Sequence, residues 1–160
     1  MDMVLVTGSR SLKAVSGEVH ATVKAFLVSY AKKSAHRLTV VAGGVGIVDV
    51  AAISIAKALT TRWVVMHPDG RQESLEKPIG GYWDTPAGRR PLVREDFLKR
   101  DRAMVHYLAQ EREARGLRVG CLALVDLSSP RRGAFYTASY AEEKDIPVYW
   151  DVYETGVTVM

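Results

Sequence analysis

The sequence has one cysteine, six prolines and few aromatic residues (8%), and no apolar run in it approaches the roughly 18 to 20 residues that cross a bilayer. Cys121 has no second cysteine to pair with, so an internal disulfide framework is excluded. The four histidines are scattered, away from each other and from Cys121, and carry no zinc spacing; no metal or cofactor is expected. Residues 1–13 lack the basic start and long apolar middle of a secretory signal, which gives the expectation of a cytoplasmic protein with no membrane partner. Charge of one sign is not in large excess: 22 Lys and Arg against 18 Asp and Glu leave +4. That balance suits a phosphate-bearing ligand but is far from the dense basic stripe of a dedicated nucleic-acid binder. Neither G-x-G-x-x-G nor G-x-x-x-x-G-K-[ST] occurs, which disfavours ordinary NAD dehydrogenase and P-loop chemistry. No repeat of 20 to 50 residues and no low-complexity tract is present. What remains is 160 residues, 48% hydrophobic and 25% charged, the size and balance of one globular domain over 1–160.

Short β-rich runs alternate with helical stripes along this domain. Met3 to Thr7 reads as a buried strand emptying into Gly8-Ser9-Arg10-Ser11, and Val15, Val19, Val23, Phe26, Leu27 and Tyr30 recur at helical spacing up to about residues 34–36. Leu38 to Ala42 repeats the strand and opens into Gly43-Gly44-Val45-Gly46. The helix after it is apolar on nearly every side (Val48, Val50, Ala51, Ile53, Ile55), so it is expected to be covered by neighbours or by a second subunit. Trp63 to Met66 is a third strand. From His67 to about Arg94 no period is sustained, and the stretch holds four of the six prolines, which predicts a partly ordered flap. Phe97, Leu98, Asp101, Met104, Val105 and Leu108 form a third helical stripe, with Asp101 on its apolar side and Gly116 as the stop. Cys121 to Val125 is a fourth strand, residues 134–144 a short helix and Ile146 to Trp150 a fifth strand; Val157 and Val159 suggest an extra edge strand at the C-terminus. Continuous apolar strands separated by helices are the pattern of a mainly parallel sheet covered on both faces, a three-layer α/β fold.

In such a sheet, ligands bind beyond the carboxyl ends of the strands, where chain direction across the sheet reverses. Three loops there have suitable chemistry: Thr7 to Arg10, Gly43 to Gly46, and Ser128-Ser129-Pro130-Arg131-Arg132-Gly133. Small residues let an anion approach backbone N–H groups at the next helix start, and guanidinium offers paired donors to phosphate. Together they predict a phosphate-binding rim. Ser128 and Ser129 equally suit helix capping, Asp49 a helix N-terminus, and Asp101 an ion pair with a neighbouring arginine.

Four stretches in order, V-T-G-S-R (Val6 to Arg10), G-G-V-G-I-V-D-V-A-A (Gly43 to Ala52), R-D-R-A-M-V (Arg100 to Val105) and S-x-x-x-x-G (Ser128 to Gly133), resemble the SLOG superfamily. The likeness is greatest to its YspA-like members, more distant to the LOG phosphoribohydrolases and the DNA-processing Smf proteins. It implies a Rossmann-like five-stranded sheet of order 3-2-1-4-5 that binds a nucleotide or nucleotide-derived ligand, such as a nucleoside monophosphate or an ADP-ribose derivative. By position it implies ligand-binding roles for Gly8, Ser9, Arg10, Gly43, Gly44, Gly46, Asp49, Arg100, Asp101, Ser128, Ser129, Arg131 and Gly133, and a homo-oligomer. Two departures bear on activity. Gly46 stands one place earlier than the third glycine of the YspA-like pattern, and the LOG glutamate has no counterpart after Gly133, where Ala134 to Thr137 follow.

No catalytic residue is therefore assigned. The leading expectation is a ligand-binding sensor or an enzyme of unassigned type. An N-glycosidic-bond hydrolase or transferase would rely on Asp49 or Asp101, with His67 as an acid-base candidate and Tyr82 or Trp83 stacking on a base. A single-stranded DNA binder would use Arg89, Arg90, Arg94, Arg131 and Arg132, and is the lesser alternative.

Overall fold

The computed structural model describes residues 1–34, 37–76, 80–83, 91–129 and 133–156. Strand β1 (Met3–Gly8) is followed by a 3-10 helix (Arg10–Val15) that runs straight into α1 (Ser16–Ser34). Next come β2 (Thr39–Ala42), α2 (Ile47–Ala58), β3 (Arg62–Met66), β4 (Arg71–Ser74) and β5 (Gly80–Gly81). The chain continues through α3 (Arg94–Arg115), β6 (Val119–Asp126), α4 (Gly133–Glu143) and β7 (Val148–Tyr153).

The sheet has the order β5-β4-β3-β2-β1-β6-β7. Its five parallel strands, β3-β2-β1-β6-β7, are those expected in the order 3-2-1-4-5; Met3 pairs with both Thr39 and Val119, and Cys121 with Val148. The expected count of five is corrected to seven. The stretch after β3 adds β4 and β5, antiparallel, with Met66 opposite Gln72 and Arg71 opposite Gly81. Arg71 to Ser74 has no apolar alternation to reveal it; the pairing is set by the backbone groups that β3 leaves open at its edge. The suggested C-terminal strand at Val157 and Val159 lies outside the described residues.

Strand side chains alternate between two cores, as the pleat requires. Val4, Val6, Val40, Ala42, Leu122 and Leu124 meet Val19, Val23 and Leu27 of α1 and Val48, Ala52 and Ile55 of α2. Met3, Leu5, Val41, Cys121, Ala123 and Val125 meet Met104, Val105 and Leu108 of α3 and Ala134, Ala138 and Ala141 of α4. The all-round apolarity of α2 is thus taken up largely by the sheet and α1, and of its large apolar residues only Val50 is exposed. Asp96 accepts a 2.8 Å bond from the Val93 N–H to start α3, and Gly116, at φ 66°, ends it with its N–H on the Arg112 carbonyl.

Because α1 and α2 lie on one face and α3 and α4 on the other, the loops after β1 and β6 leave in opposite directions. The crevice between those two strand ends is the switch point. Gly8 sets how closely α2 approaches it: a Cβ there would stand 2.1 Å from Val48 Cγ2. Gly8→Ala is expected to cost about 2 kcal/mol through overpacking. Gly17→Ala, in open space near the start of α1, is expected to gain about 0.5 kcal/mol. Urea midpoints of the two variants check both signs.

Candidate functional site

Two polar clusters occupy the carboxyl end of the sheet, one on either side of β1. The first surrounds Arg100, which α3 directs under the ends of β2 and β3. Its Nε donates to Asp101 Oδ1 at 2.8 Å, and its Nη1 donates to the Gly43 carbonyl and, at 3.4 Å, to the Met66 carbonyl. Arg100, Asp101 and Asp49 are all buried. The Gly43–Gly46 turn is shaped by these partners. Val45 N–H donates to Asp49 Oδ2 at 3.0 Å. A Cβ on Gly43 would lie 2.5 Å from Arg100 Nη1, and Gly44 and Gly46 both have positive φ, 73° and 95°. Glycine is needed here for backbone shape and for the close approach of the guanidinium.

Burial pushes the Asp49 pKa up to about 6, against the pull of Arg100 and of the Val45 and Gly43 N–H groups. Burial also raises Asp101, opposed by Arg100 and by a hydrogen bond with Thr137 of α4. Two buried carboxylates therefore share one buried guanidinium.

Above this cluster, at the rim, Arg10 is exposed. Its guanidinium lies 5.0 Å over the Phe97 ring, and its side chain passes the Gly46 backbone where α2 begins. Among the described residues it forms no ion pair.

The second cluster centres on Asp126 at the end of β6. Oδ2 accepts from the Ser11 and Thr155 hydroxyls, each at 2.5 Å, and Oδ1 from the Ser128 and Thr155 N–H groups at 3.0 and 3.2 Å. The Asp126 N–H in turn donates to Ser9 Oγ at 3.0 Å. Burial alone would raise the Asp126 pKa, but these bonds outweigh it and bring it to about 2. The carboxylate stays ionised and ties the loops after β1, β6 and β7 together.

The expected residues divide accordingly. Gly43, Gly44, Gly46, Asp49, Arg100 and Asp101 form the first cluster, with Arg10 at its rim. Ser9 and Ser128 belong to the second, Ser128 Oγ accepting from the Gly156 N–H at 2.9 Å. Ser129 is buried there, its N–H on the Asp126 carbonyl; α4 starts four residues later, at Gly133, so neither serine is the residue adjoining it. Gly8 packs against α2, Gly133 is exposed, and Arg131 lies outside the described residues, as do Arg89, Arg90 and Arg132. His67 Nε2 is 3.1 Å from Glu73 Oε2. Tyr82 donates its hydroxyl to the His67 carbonyl, and Trp83 lies beneath Lys99 at 4.8 Å. The two aromatics are thus themselves held against the protein. Cys121 is buried, and its thiol is pushed up to about 12 by that burial, with Glu142 adding to it, which removes thiolate chemistry.

Sequence reasoning missed Asp126, Ser11, Thr155, Phe97 and Thr137 as site residues. A carboxylate closing an otherwise apolar strand, with serines two and three residues on, is the signal that could have found Asp126. Phe97 carries none, because its spacing matches a core stripe.

No protein-family model matches this sequence, and no curated protein matches it. Among solved structures, the fold is similar to the X-ray structure of DNA processing protein A (DprA) from Streptococcus pneumoniae, with a TM-score of 0.59 and 17% identity. The match covers 94% of this chain and 50% of that one, so this chain spans half the length of its neighbour. At that identity the likeness is one of fold, and the fold is α/β and Rossmann-like.

The buried carboxylates give a pH signature. An acid raised above its unfolded value contributes stability in full below 3.8 and loses it as pH rises through about 6. Wild-type stability is expected to fall across that window, and Asp49→Asn, which keeps an acceptor for Val45 N–H, to fall less. Urea midpoints of both proteins at pH about 4 and about 7 test the sign.

Proposed function

We propose that this domain binds a nucleotide or nucleotide-derived ligand, a nucleoside monophosphate or an ADP-ribose-like molecule, at the carboxyl ends of β1, β2 and β6. The observation that carries this reading is Arg10. It is an exposed guanidinium at the start of α2, beside a glycine turn with two positive-φ positions, and it has no ion-pair partner among the described residues. A phosphate there meets paired donors and the positive end of a helix dipole together. Ser9, Ser128 and Gly133 would line the opposite wall.

Binding is favoured over turnover because neither candidate acid faces the opening. Asp49 is hydrogen-bonded to Val45 N–H and Asp101 to Arg100, and both are buried. A glycosidic-bond enzyme needs a carboxyl group within reach of the ligand. The second reading, a single-stranded nucleic acid held by its phosphates, draws distant support from the fold likeness to a DNA-processing protein. It would use the same Arg10 together with exposed Arg94.

Calorimetry and thermal shift against AMP, CMP, ADP-ribose and a short single-stranded oligonucleotide, with chromatography for released base, separate these readings. One small ligand is expected to stabilise the protein saturably. Arg10→Ala is expected to weaken that binding about tenfold or more, the loss of one charge-assisted contact. Stabilisation by the oligonucleotide alone, falling steeply with salt, would replace the first reading by the second. Released base would establish turnover.

A further inference from the structure

We propose that the outer edge of β7 is a dimer interface, where two copies of this chain join their sheets by antiparallel pairing of Val148–Tyr153 about a two-fold axis at Trp150. The backbone parity is fixed by neighbouring bonds. Cys121 N–H donates to the Pro147 carbonyl and Leu127 N–H to the Tyr153 carbonyl, both at 2.9 Å, so odd-numbered residues of this strand turn their backbone groups toward β6. Val148, Trp150 and Val152 therefore present theirs outward, and no described strand pairs with them.

This edge lacks most of the devices that keep exposed strands apart, Asp151 being its one charged residue. It has no lysine, no proline within the strand and no bulge, whereas the opposite edge of the sheet, β5, is only two glycines long. Exposed apolar side chains gather on it. Nine large apolar residues are exposed among the described residues, and Tyr149, Trp150 and Val152 of β7, together with Phe135 against Trp150, are four of them. Scattered single residues would need no explanation; four at one strand edge do.

Charge selects the occupant. Helix α1 runs antiparallel to β7 across one face: Tyr153 Oη lies 3.4 Å from Thr22 Oγ1, and the Phe26 and Tyr30 rings lie 5.4 and 6.3 Å from that of Tyr149. Lys33, 5.8 Å over Tyr30, marks the N-terminal end of the strand as basic. Asp151 and Glu18, both acting on Tyr153, mark its C-terminal end as acidic. A second copy turned by a two-fold axis sets each acidic end against a basic one, the self-complementarity of an isologous contact.

Register follows from the same groups. Centring on Trp150 pairs it with the partner's Trp150, and Val148 with the partner's Val152, so every outward N–H and C=O in the strand is bonded. Tyr149 then meets the partner's Asp151. Centring on Asp151 instead would oppose two like charges in the close, non-hydrogen-bonded position.

Light scattering on the full chain is expected to give twice the chain mass at tens of micromolar. Trp150→Lys and Trp150→Glu each place like charges opposite themselves at the axis, and each alone is expected to be a monomer with an unchanged circular dichroism spectrum. Mixed in equal amounts they are expected to recover the dimer, since lysine then faces glutamate. A monomeric wild type, dimers in either single variant, or a mixture that stays monomeric overturns the proposal.

Discussion

Arg100 is a permanently charged group in a place water scarcely reaches, and such a group persists there only if every side of it is answered. Asp101 answers its charge at Nε, and the carbonyls of Gly43 and Met66 accept from Nη1. Each contact constrains a different element. The carbonyls come from the ends of β2 and β3, so α3 is docked at one depth against the sheet. The close approach excludes any side chain at Gly43, and the turn must rise over the guanidinium before α2 can start. Removing the arginine would leave Asp101 buried without its counter-charge, which is why this contact governs the local architecture rather than decorating it.

Asp126 does the corresponding work across the switch point. Its carboxylate accepts from the 3-10 helix that follows β1, from the loop after β6 and from the segment after β7. Three chain segments distant in sequence are joined through one ionised group, and the hydroxyl donors make it strongly acidic. The rim is consequently held on both sides of β1 by carboxylates that turn toward the protein. Arg10, between the two ties, is left as the group that faces out.

Most of the parallel core was legible because buried parallel strands write their burial into continuous apolar runs, and α2 into all-round apolarity. Asp101 was legible too, as an acid out of place on an apolar stripe. Other features were carried by contacts the one-dimensional pattern does not encode. The strand Arg71–Ser74 is polar, and its pairing depends on the exposed edge of β3. The inward turn of Arg100 could not be read from a helix on which adjacent residues lie about 100° apart; the resemblance suggested a phosphate ligand, whereas its donors meet backbone carbonyls and Asp101. The Gly43–Gly46 turn was marked as glycine-rich, but the reason for Gly43 and Gly44 lies in Arg100, Val65 and His67, side chains from elsewhere in the chain, and that for Gly46 in its positive φ.

The charge arithmetic of the first cluster links its burial to its use. Asp49 and Asp101 together carry one more negative charge than Arg100 neutralises, and an anion approaching α2 would meet that deficit from above. Two features reduce it. Burial raises Asp49 to about 6, so part of the negative charge is removed by a proton as pH falls toward that value. The Arg10 guanidinium stands at the rim and acts favourably on Asp101. A floor whose excess charge falls as Asp49 takes up a proton, with a cation at its lip, suits an anion that is held at the rim rather than swallowed, because among the described residues of the cluster the exposed guanidinium and the backbone N–H groups at the start of α2 have directions left to offer. Binding at a surface edge, with the ionisable groups underneath serving to shape the turn, is the arrangement these residues favour.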